Sequence, residues 1–129
     1  MNVSSSLTLL EANKPLSGSQ IKLGEENEIC LLISTNPPED ISDWLLYYQI
    51  GDWATKTSKA IGVDRDFIKN VSWGNTKATL KLNSNILSRL PAPKDSAVKC
   101  FFVFGAFVRL KNQDKILANG FFDLLPVIA

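Results

Sequence analysis

The sequence predicts an all-β fold, a single antiparallel β-sandwich domain over residues 1–129. Groups of turn-forming residues interrupt short apolar runs about every ten residues, which is the spacing of a sandwich or a barrel. Within the runs, apolar and polar residues alternate with a period of two, as in strands that bury one face. A chain of 129 residues suits one domain whose core is large enough to fold without a metal or a disulfide.

The alternation also defines the individual elements. It is clearest in segment 28–35, where every second residue is a branched apolar one. A helical turn is expected only at residues 84–90, where Asn83 or Ser84 can cap it and Pro91 stops it. The predicted strands are Leu7–Glu11, Gln20–Leu23, Glu28–Thr35, Trp44–Ile50, Ala54–Gly62, Phe67–Trp73, Thr76–Leu82, Ala97–Leu110 and Lys115–Leu125.

The residue inventory argues against most enzymes and against nucleic-acid binding. The chain carries 14 basic and 13 acidic side chains, whereas nucleic-acid binders usually show a basic excess or a basic run. It has no histidine, which is the commonest general base near neutral pH and the commonest metal ligand. Asp64 and Asp66, expected on one strand face, are acid–base candidates, but such acids more often lie in solvated loops. We therefore predict no catalysis, no cofactor and no metal.

Two further observations concern the location of the chain. No run approaches the roughly 18 apolar residues that a membrane-spanning helix requires, so no membrane span is expected. The first residues lack the basic segment and the long apolar segment of a signal peptide. This favours a cytoplasmic chain, and a mature form whose signal has been removed is the alternative.

Three residues and one segment resemble a known family. Cys30, Trp44 and Cys100 resemble the core triad of immunoglobulin-like domains, in which two cysteines bridge the sheets and a tryptophan packs on the bridge. The segment Asp95–Cys100 resembles the entry to a late strand of that family. The resemblance implies an immunoglobulin-like layout over residues 20–125, although Val98 stands where the family has a tyrosine.

The alternation conflicts with a bridge between the two cysteines. Cys30 lies between Ile29 and Leu31 in sequence and is therefore expected on the opposite face of its strand. Cys100 shares its predicted face with Phe102 and points into the core. We therefore favour two free thiols, although a β-bulge near Cys30 would reverse its direction and permit a disulfide.

Two predicted strands, Trp44–Ile50 and Ala97–Leu110, are apolar on both faces, although a sandwich strand usually has one polar face. The second face needs cover, which a second copy or another protein can supply. In the immunoglobulin-like variable domains that the chain resembles, the equivalent face makes a dimer contact. Cover by residues 1–24 is the alternative, and Trp44 also suits a core position. The candidate interface residues are Trp44, Leu45, Tyr47, Phe101, Val103 and Phe107.

A small carbohydrate-binding lectin is the alternative function. Trp53 and Trp73 lie near turns, and exposed loop aromatics beside polar residues suit stacking on a sugar. Burial in the core is the competing interpretation of both tryptophans. The candidate ligand-binding residues are Trp53, Trp73, Asp52 and Asn75.

Overall fold

Two five-stranded sheets lie face to face in the computed structural model, which describes residues 2–126. The predicted all-β sandwich with one short helix is therefore confirmed. The elements are β1 (Asn2–Leu9), β2 (Lys14–Pro15), β3 (Ser19–Lys22), β4 (Asn27–Asn36), β5 (Leu45–Asp52), β6 (Thr57–Gly62), β7 (Ile68–Ser72), β8 (Asn75–Leu82), α1 (Ser84–Leu87), β9 (Val98–Val108) and β10 (Gln113–Leu125).

The strand order keeps the consecutive pairs β1–β2, β5–β6, β7–β8 and β9–β10 within one sheet and places the other consecutive strands in different sheets. The first sheet has the order β2-β1-β4-β8-β7, and the second has the order β3-β10-β9-β5-β6. Neighbouring strands are antiparallel except for β3, which runs parallel to β10 at one edge of the second sheet. The chain passes between the sheets after β2, β3, β4, β6 and β8, and the middle strands of the two sheets, β4 and β9, face each other across the core.

The core forms where the inward faces of the two sheets meet. The first sheet contributes aliphatic side chains such as Ile29, Leu31 and Leu80. The second contributes Tyr48 and Phe104, whose rings stack at a centroid distance of 6.0 Å. Each such side chain stabilises the fold by about 1.5–3 kcal/mol when it is fully buried. The alternation in the sequence therefore predicts the core correctly.

The helix α1 closes one end of the sandwich. The Asn83 side chain caps it, because Asn83 Oδ1 accepts the N–H groups of Asn85 at 3.1 Å and Ile86 at 3.4 Å. Ile86 and Leu87 are buried against the core. No helix among residues 2–126 has the length and apolar composition to cross a membrane.

Two local expectations were wrong. Strand β1 begins at Asn2 rather than at Leu7, because its serine-rich start pairs with β4 along its full length even though serine has little strand preference. Asp64 and Asp66 do not share a strand face, because residues 64–66 form a single 3₁₀ turn. Consecutive short-range hydrogen bonds in that turn replace the strand pairing that the sequence pattern predicts.

Both cysteines are free, as the alternation predicts. Cys100 belongs to the core, whereas Cys30 is buried on the opposite face of β4, outside the core cluster. The thickness of the first sheet therefore separates the two thiols. Burial, and then the nearby carboxylates of Asp52 and Asp123, raise the pKa of Cys100 to about 12.

A close contact between Gly62 and Tyr48 gives the first testable prediction. A Cβ on Gly62 would overlap Cε1 and Cζ of the Tyr48 ring, which is buried and cannot move aside. We expect Gly62→Ala to lower the free energy of unfolding by about 3 kcal/mol in urea denaturation. Gly18→Ala is the control, because Gly18 has φ +84 but no atom within 4 Å, so only about 1 kcal/mol of backbone strain is expected. Equal losses in the two variants would contradict this packing.

The pKa of Cys100 gives a second prediction, on the pH dependence of alkylation. Since the pKa is raised from 9.0 to about 12, about one folded molecule in ten thousand carries the thiolate at pH 8, compared with about one in ten of the unfolded chains. We expect iodoacetamide to alkylate Cys100 very slowly in the folded protein. The alkylation rate should still be rising with pH above pH 9. In urea the rate should level off above that pH. Rapid alkylation of folded protein at pH 8 would show that Cys100 is not buried as described.

Candidate interaction surface

The outward side chains of the second sheet form a largely apolar surface, interrupted by Gln49 and Asn119 on either side of Val103. Residues that pair across neighbouring strands point to the same side of a sheet. Leu45 of β5 pairs with Phe107 of β9, and Phe101 of β9 pairs with Phe121 of β10. We call the following half-buried residues the apolar face: Leu45, Tyr47, Phe101, Val103, Phe107 and Phe121.

Glycines flatten this surface. Tyr47 pairs with Gly105, and a Cβ on Gly105 would lie 2.5 Å from Cζ and Oη of that tyrosine. Phe101 pairs with Gly51, where a Cβ would lie 2.6 Å from Cε1 of the phenylalanine. Each ring therefore lies across the strand beside its own, over a residue that has no side chain. The result is a flat aromatic surface of the kind that can pack against another sheet.

The outer face of the first sheet is different. Its cross-strand rows consist mainly of serine, threonine, asparagine and charged residues, such as the row that joins Ser4, Ser34 and Asn75. Leu32 is an exception at 46% exposure, and it lies between Ser6 and Lys77. The two outer faces therefore differ in polarity, and the second sheet presents the more apolar one.

The N-terminal strands do not cover the apolar face. Strands β1 and β2 belong to the first sheet, and β3 extends the edge of the second sheet in its own plane. The Ser5 hydroxyl donates a hydrogen bond to the carbonyl of Leu117, which holds β1 against β10 at the side of the sandwich. The strands in residues 2–22 therefore do not lie over the apolar face, in contrast to the alternative that residues 1–24 cover it.

The charged groups on this side of the sheet lie near its ends. Burial, and then the Asp114 carboxylate, raise the pKa of Tyr47, so the phenol stays neutral across the physiological range. At the other end the Trp53 ring meets Phe121 edge to face at a centroid distance of 6.3 Å. Lys99 Nζ lies 4.4 Å from the Phe121 ring centroid. The charges thus border the apolar face and leave its middle uncharged.

Five of the six predicted interface residues lie together on the apolar face, and Trp44 does not. Trp44 is 4% exposed and belongs to the core cluster. It directly precedes β5, in a tight turn closed by a hydrogen bond from its N–H to the Ile41 carbonyl. Trp44 is therefore a core residue together with Leu46 and Tyr48, as the alternative interpretation of the sequence held, rather than an interface residue.

The four residues of the predicted sugar site do not come together. Trp53 and Asp52 lie at the end of β5, whereas Trp73 and Asn75 lie at the turn between β7 and β8. That turn contacts the other end of the sandwich, because the Thr35 N–H donates to the Gly74 carbonyl. The eight residues of β5 extend about 26 Å between the two ends. One small sugar cannot contact both tryptophans.

The two tryptophans also differ in their surroundings. Trp53 is 38% exposed, and its ring faces ammonium groups, with Lys56 Nζ at 3.0 Å and Lys99 Nζ at 4.3 Å from the centroid. Cation–π contacts of this kind occupy the surface on which a sugar would stack. Trp73 is 72% exposed. Both are surface residues, and only Trp73 offers an open ring.

The carboxylates that the sequence marked as acid–base candidates have local partners. Asp64 Oδ1 lies 2.9 Å from the Lys69 ammonium. Asp66 Oδ2 accepts the N–H of Val63 at 3.2 Å. Among residues 2–126, no group of three or more cysteine, aspartate or glutamate side chains is arranged to hold a metal ion.

Sequence reasoning missed Phe121 as a member of the apolar face and Asp114 as a residue at its border. Both lie on β10, whose pairing with β9 shifts register between Ile116 and Ala118. A register shift of one residue reverses which side chains point inward and which point outward in the rest of the strand. Residues 121–124 alternate in sequence, which indicates that β10 has one buried and one outward face. The alternation does not show whether Phe121 or Phe122 is the outward residue.

No protein-family model and no curated protein matches the chain. The chain is similar to the solved structure of a family 123 glycoside hydrolase from Clostridium perfringens, which hydrolyses glycolipid glycans. Its TM-score is 0.50 at 7% identity, over 99% of this chain and 28% of that chain. BcpA, the major pilin subunit of Bacillus cereus, matches at a TM-score of 0.29 and 4% identity, over 98% of this chain and 40% of that one. The chain spans less than half of either protein, and the first match supports the β-sandwich architecture alone.

Proposed function

We propose that this chain is a non-catalytic assembly module that forms a homodimer through the apolar face of its second sheet. The observation that carries the proposal is that β5 and β9 are apolar on both sides, while no strand of residues 2–126 lies across their outer side. A monomer that left this surface in water would lose the hydrophobic stabilisation that its burial provides.

The strand order supports an immunoglobulin-like layout. In such domains one sheet has the order A-B-E-D and the other contains G, F and C, with C′ added beside C in the variable type. The order β1-β4-β8-β7 and the order β10-β9-β5-β6 correspond to these sheets. Under this correspondence the apolar face is the one through which the variable domains that the chain resembles form dimers.

The size and charge of the face support a second copy of the chain as its partner. The apolar face occupies the three middle strands of a sheet whose whole outer side, five strands about 4.8 Å apart and about eight residues long, spans roughly 24 by 26 Å. That projected area, about 600 Å², is of the order of the roughly 800 Å² per partner in a standard interface. The net charge of +1 means that two copies approach each other with little electrostatic repulsion.

The residue types support a role without catalysis. Histidine is absent from the chain, so none of the many serines has an imidazole to activate it. The Cys100 thiol is buried, with its pKa raised to about 12, whereas a nucleophilic cysteine needs a lowered pKa and access to substrate.

A charge placed in the middle of the apolar face tests the dimer. Val103 pairs with Gln49 and with Asn119, so a lysine at position 103 has polar neighbours and the monomer should fold. We expect wild-type protein to run as a dimer in light scattering over a dilution series. We expect Val103→Lys to weaken dimerisation about 100-fold, because an unpaired charge in an interface costs about 3 kcal/mol.

The control is Leu32→Lys, which places the same charge on the outer face of the first sheet, where Leu32 is already 46% exposed. This variant should remain dimeric. Reductant should have no effect, because both thiols are buried and free. A wild-type monomer at every concentration, or equal weakening by the two lysines, would contradict the proposal and leave a different protein as the partner of this face.

Carbohydrate binding is the second candidate, and the open ring of Trp73 favours it. Trp73 lines a shallow pocket of about 350 Å³ together with Asp40, Ser42, Val71 and Ser72. An aromatic platform bordered by hydroxyl and carboxylate oxygens can stack on a sugar and accept hydrogen bonds from it.

The test of this candidate is tryptophan fluorescence during titration with neutral monosaccharides and disaccharides. We expect saturable quenching that Trp73→Ala abolishes and Trp53→Ala retains, since lysines face the Trp53 ring. Quenching that depended on Trp53 instead, or no quenching with any of the sugars, would remove this candidate without affecting the dimer.

A further inference from the structure

A polar cavity of about 410 Å³ opens at the edge of the sandwich, between the start of β7 and the helix α1. None of the residues that line it belongs to the apolar face. Its lining includes Tyr48, Arg65, Arg89, Asp66 and Glu28. The cavity therefore lies apart from the proposed dimer interface.

A phenol from the core reaches this cavity. Tyr48 is 1% exposed, and its ring is held by Phe104 at 6.0 Å and by Phe67 at 6.1 Å between centroids. Within residues 2–126 its hydroxyl makes no hydrogen bond, and because Tyr48 lines the cavity this oxygen is not among the fully buried polar atoms that lack a partner. Burial and the Asp66 carboxylate raise the pKa of Tyr48, against the opposing effect of Arg89. The group therefore stays protonated and presents an O–H donor to the cavity.

Two guanidinium groups line the same cavity without an acidic partner. The ion pair found among the side chains of residues 2–126 joins Lys69 to Asp64 and involves neither arginine. Arg89 Nη1 donates to the Ile61 carbonyl at 3.3 Å, which positions the guanidinium and leaves its other N–H groups uncommitted. Arg65 is exposed at the opening. An arginine pair of this kind offers several parallel donors to one anion.

The cavity wall also carries two carboxylates and a lysine, Asp66, Glu28 and Lys81. Asp66 Oδ2 accepts the N–H of Val63 at 3.2 Å, and Glu28 lies opposite Lys81 in the pairing of β4 with β8. Asn83 uses its Oδ1 to cap α1, which leaves its Nδ2 as a further donor. Three cationic side chains, Arg65, Arg89 and Lys81, therefore face two carboxylates in the wall, and a ligand that is rich in acceptors and carries a negative charge complements this excess.

We propose that this cavity binds a small monocarboxylate, with the carboxylate oxygens accepting hydrogen bonds from Arg65, Arg89 and the Tyr48 hydroxyl. A carboxylate is planar and matches the fork of a guanidinium. The negative charges of Asp66 and Glu28 nearby favour a singly charged ligand over a phosphate dianion.

The test uses a matched pair of probes, N-acetylglycine and its neutral amide N-acetylglycinamide, titrated into ¹⁵N-labelled protein and followed by amide chemical shifts. We expect saturable shifts around the cavity with the acid only. Arg65→Gln and Arg89→Gln should each weaken binding about tenfold, because each removes charge-assisted hydrogen bonds. Tyr48→Phe keeps the ring in the core and should weaken binding about fivefold.

The control is Lys111→Gln, which removes one positive charge from the exposed turn after β9 and should change the affinity less than twofold. Similar binding of the acid and its amide would overturn the proposal, since it would show that the carboxylate is not recognised. Tighter saturable binding of inorganic phosphate at the same residues would overturn the choice of ligand. Shifts that do not saturate, or that both arginine variants leave unchanged, would show that no site exists.

Discussion

The pairing of β5 with β9 in the middle of the second sheet is the interaction on which the rest of the structure depends. Its inward side chains, among them Tyr48 and Phe104, form the aromatic part of the core. Its outward side chains, among them Tyr47 and Phe101, form most of the apolar face. Because side chains alternate at every residue, neither set can change direction without the other. One pair of strands therefore determines both the stability of the sandwich and the surface proposed for dimerisation.

Glycine makes this density of aromatic residues possible. Gly51 and Gly105 on the outer side, and Gly62 on the inner side, each lie against an aromatic ring of the strand beside them. A glycine within a strand costs about 0.5–1 kcal/mol relative to alanine. Burying the ring that it accommodates contributes about 1.5–3 kcal/mol. The balance favours the glycine wherever a ring lies flat across the neighbouring strand, which explains why these strands combine two residue types with opposite strand preferences.

The fold could be predicted from the sequence further than the candidate sites could. Alternation alone placed Cys30 outside the core and so favoured two free thiols over the disulfide that the resemblance implied, and both thiols are free. It failed where a local feature changes the period, as in the 3₁₀ turn at residues 64–66 and in the register shift that directs Phe121 outward. The cavity beside Tyr48 lay beyond sequence reasoning, because its lining comes from segments far apart in the chain that only the folded structure brings together.

The apolar face and the cavity are separated by the strand that connects them. Tyr47 and Tyr48 are neighbours in sequence but point to opposite sides of β5, which is hydrogen-bonded on both edges, to β6 and to β9. Coupling between two sites requires a structural element that can adopt two arrangements. Strand β5 is hydrogen-bonded on both edges and has a single arrangement. Binding in the cavity and dimerisation are therefore expected to be independent. A dimer would carry two cavities. A molecule with two carboxylates at the matching separation would bind the dimer more tightly, because its second carboxylate would enter the second cavity in an intramolecular step.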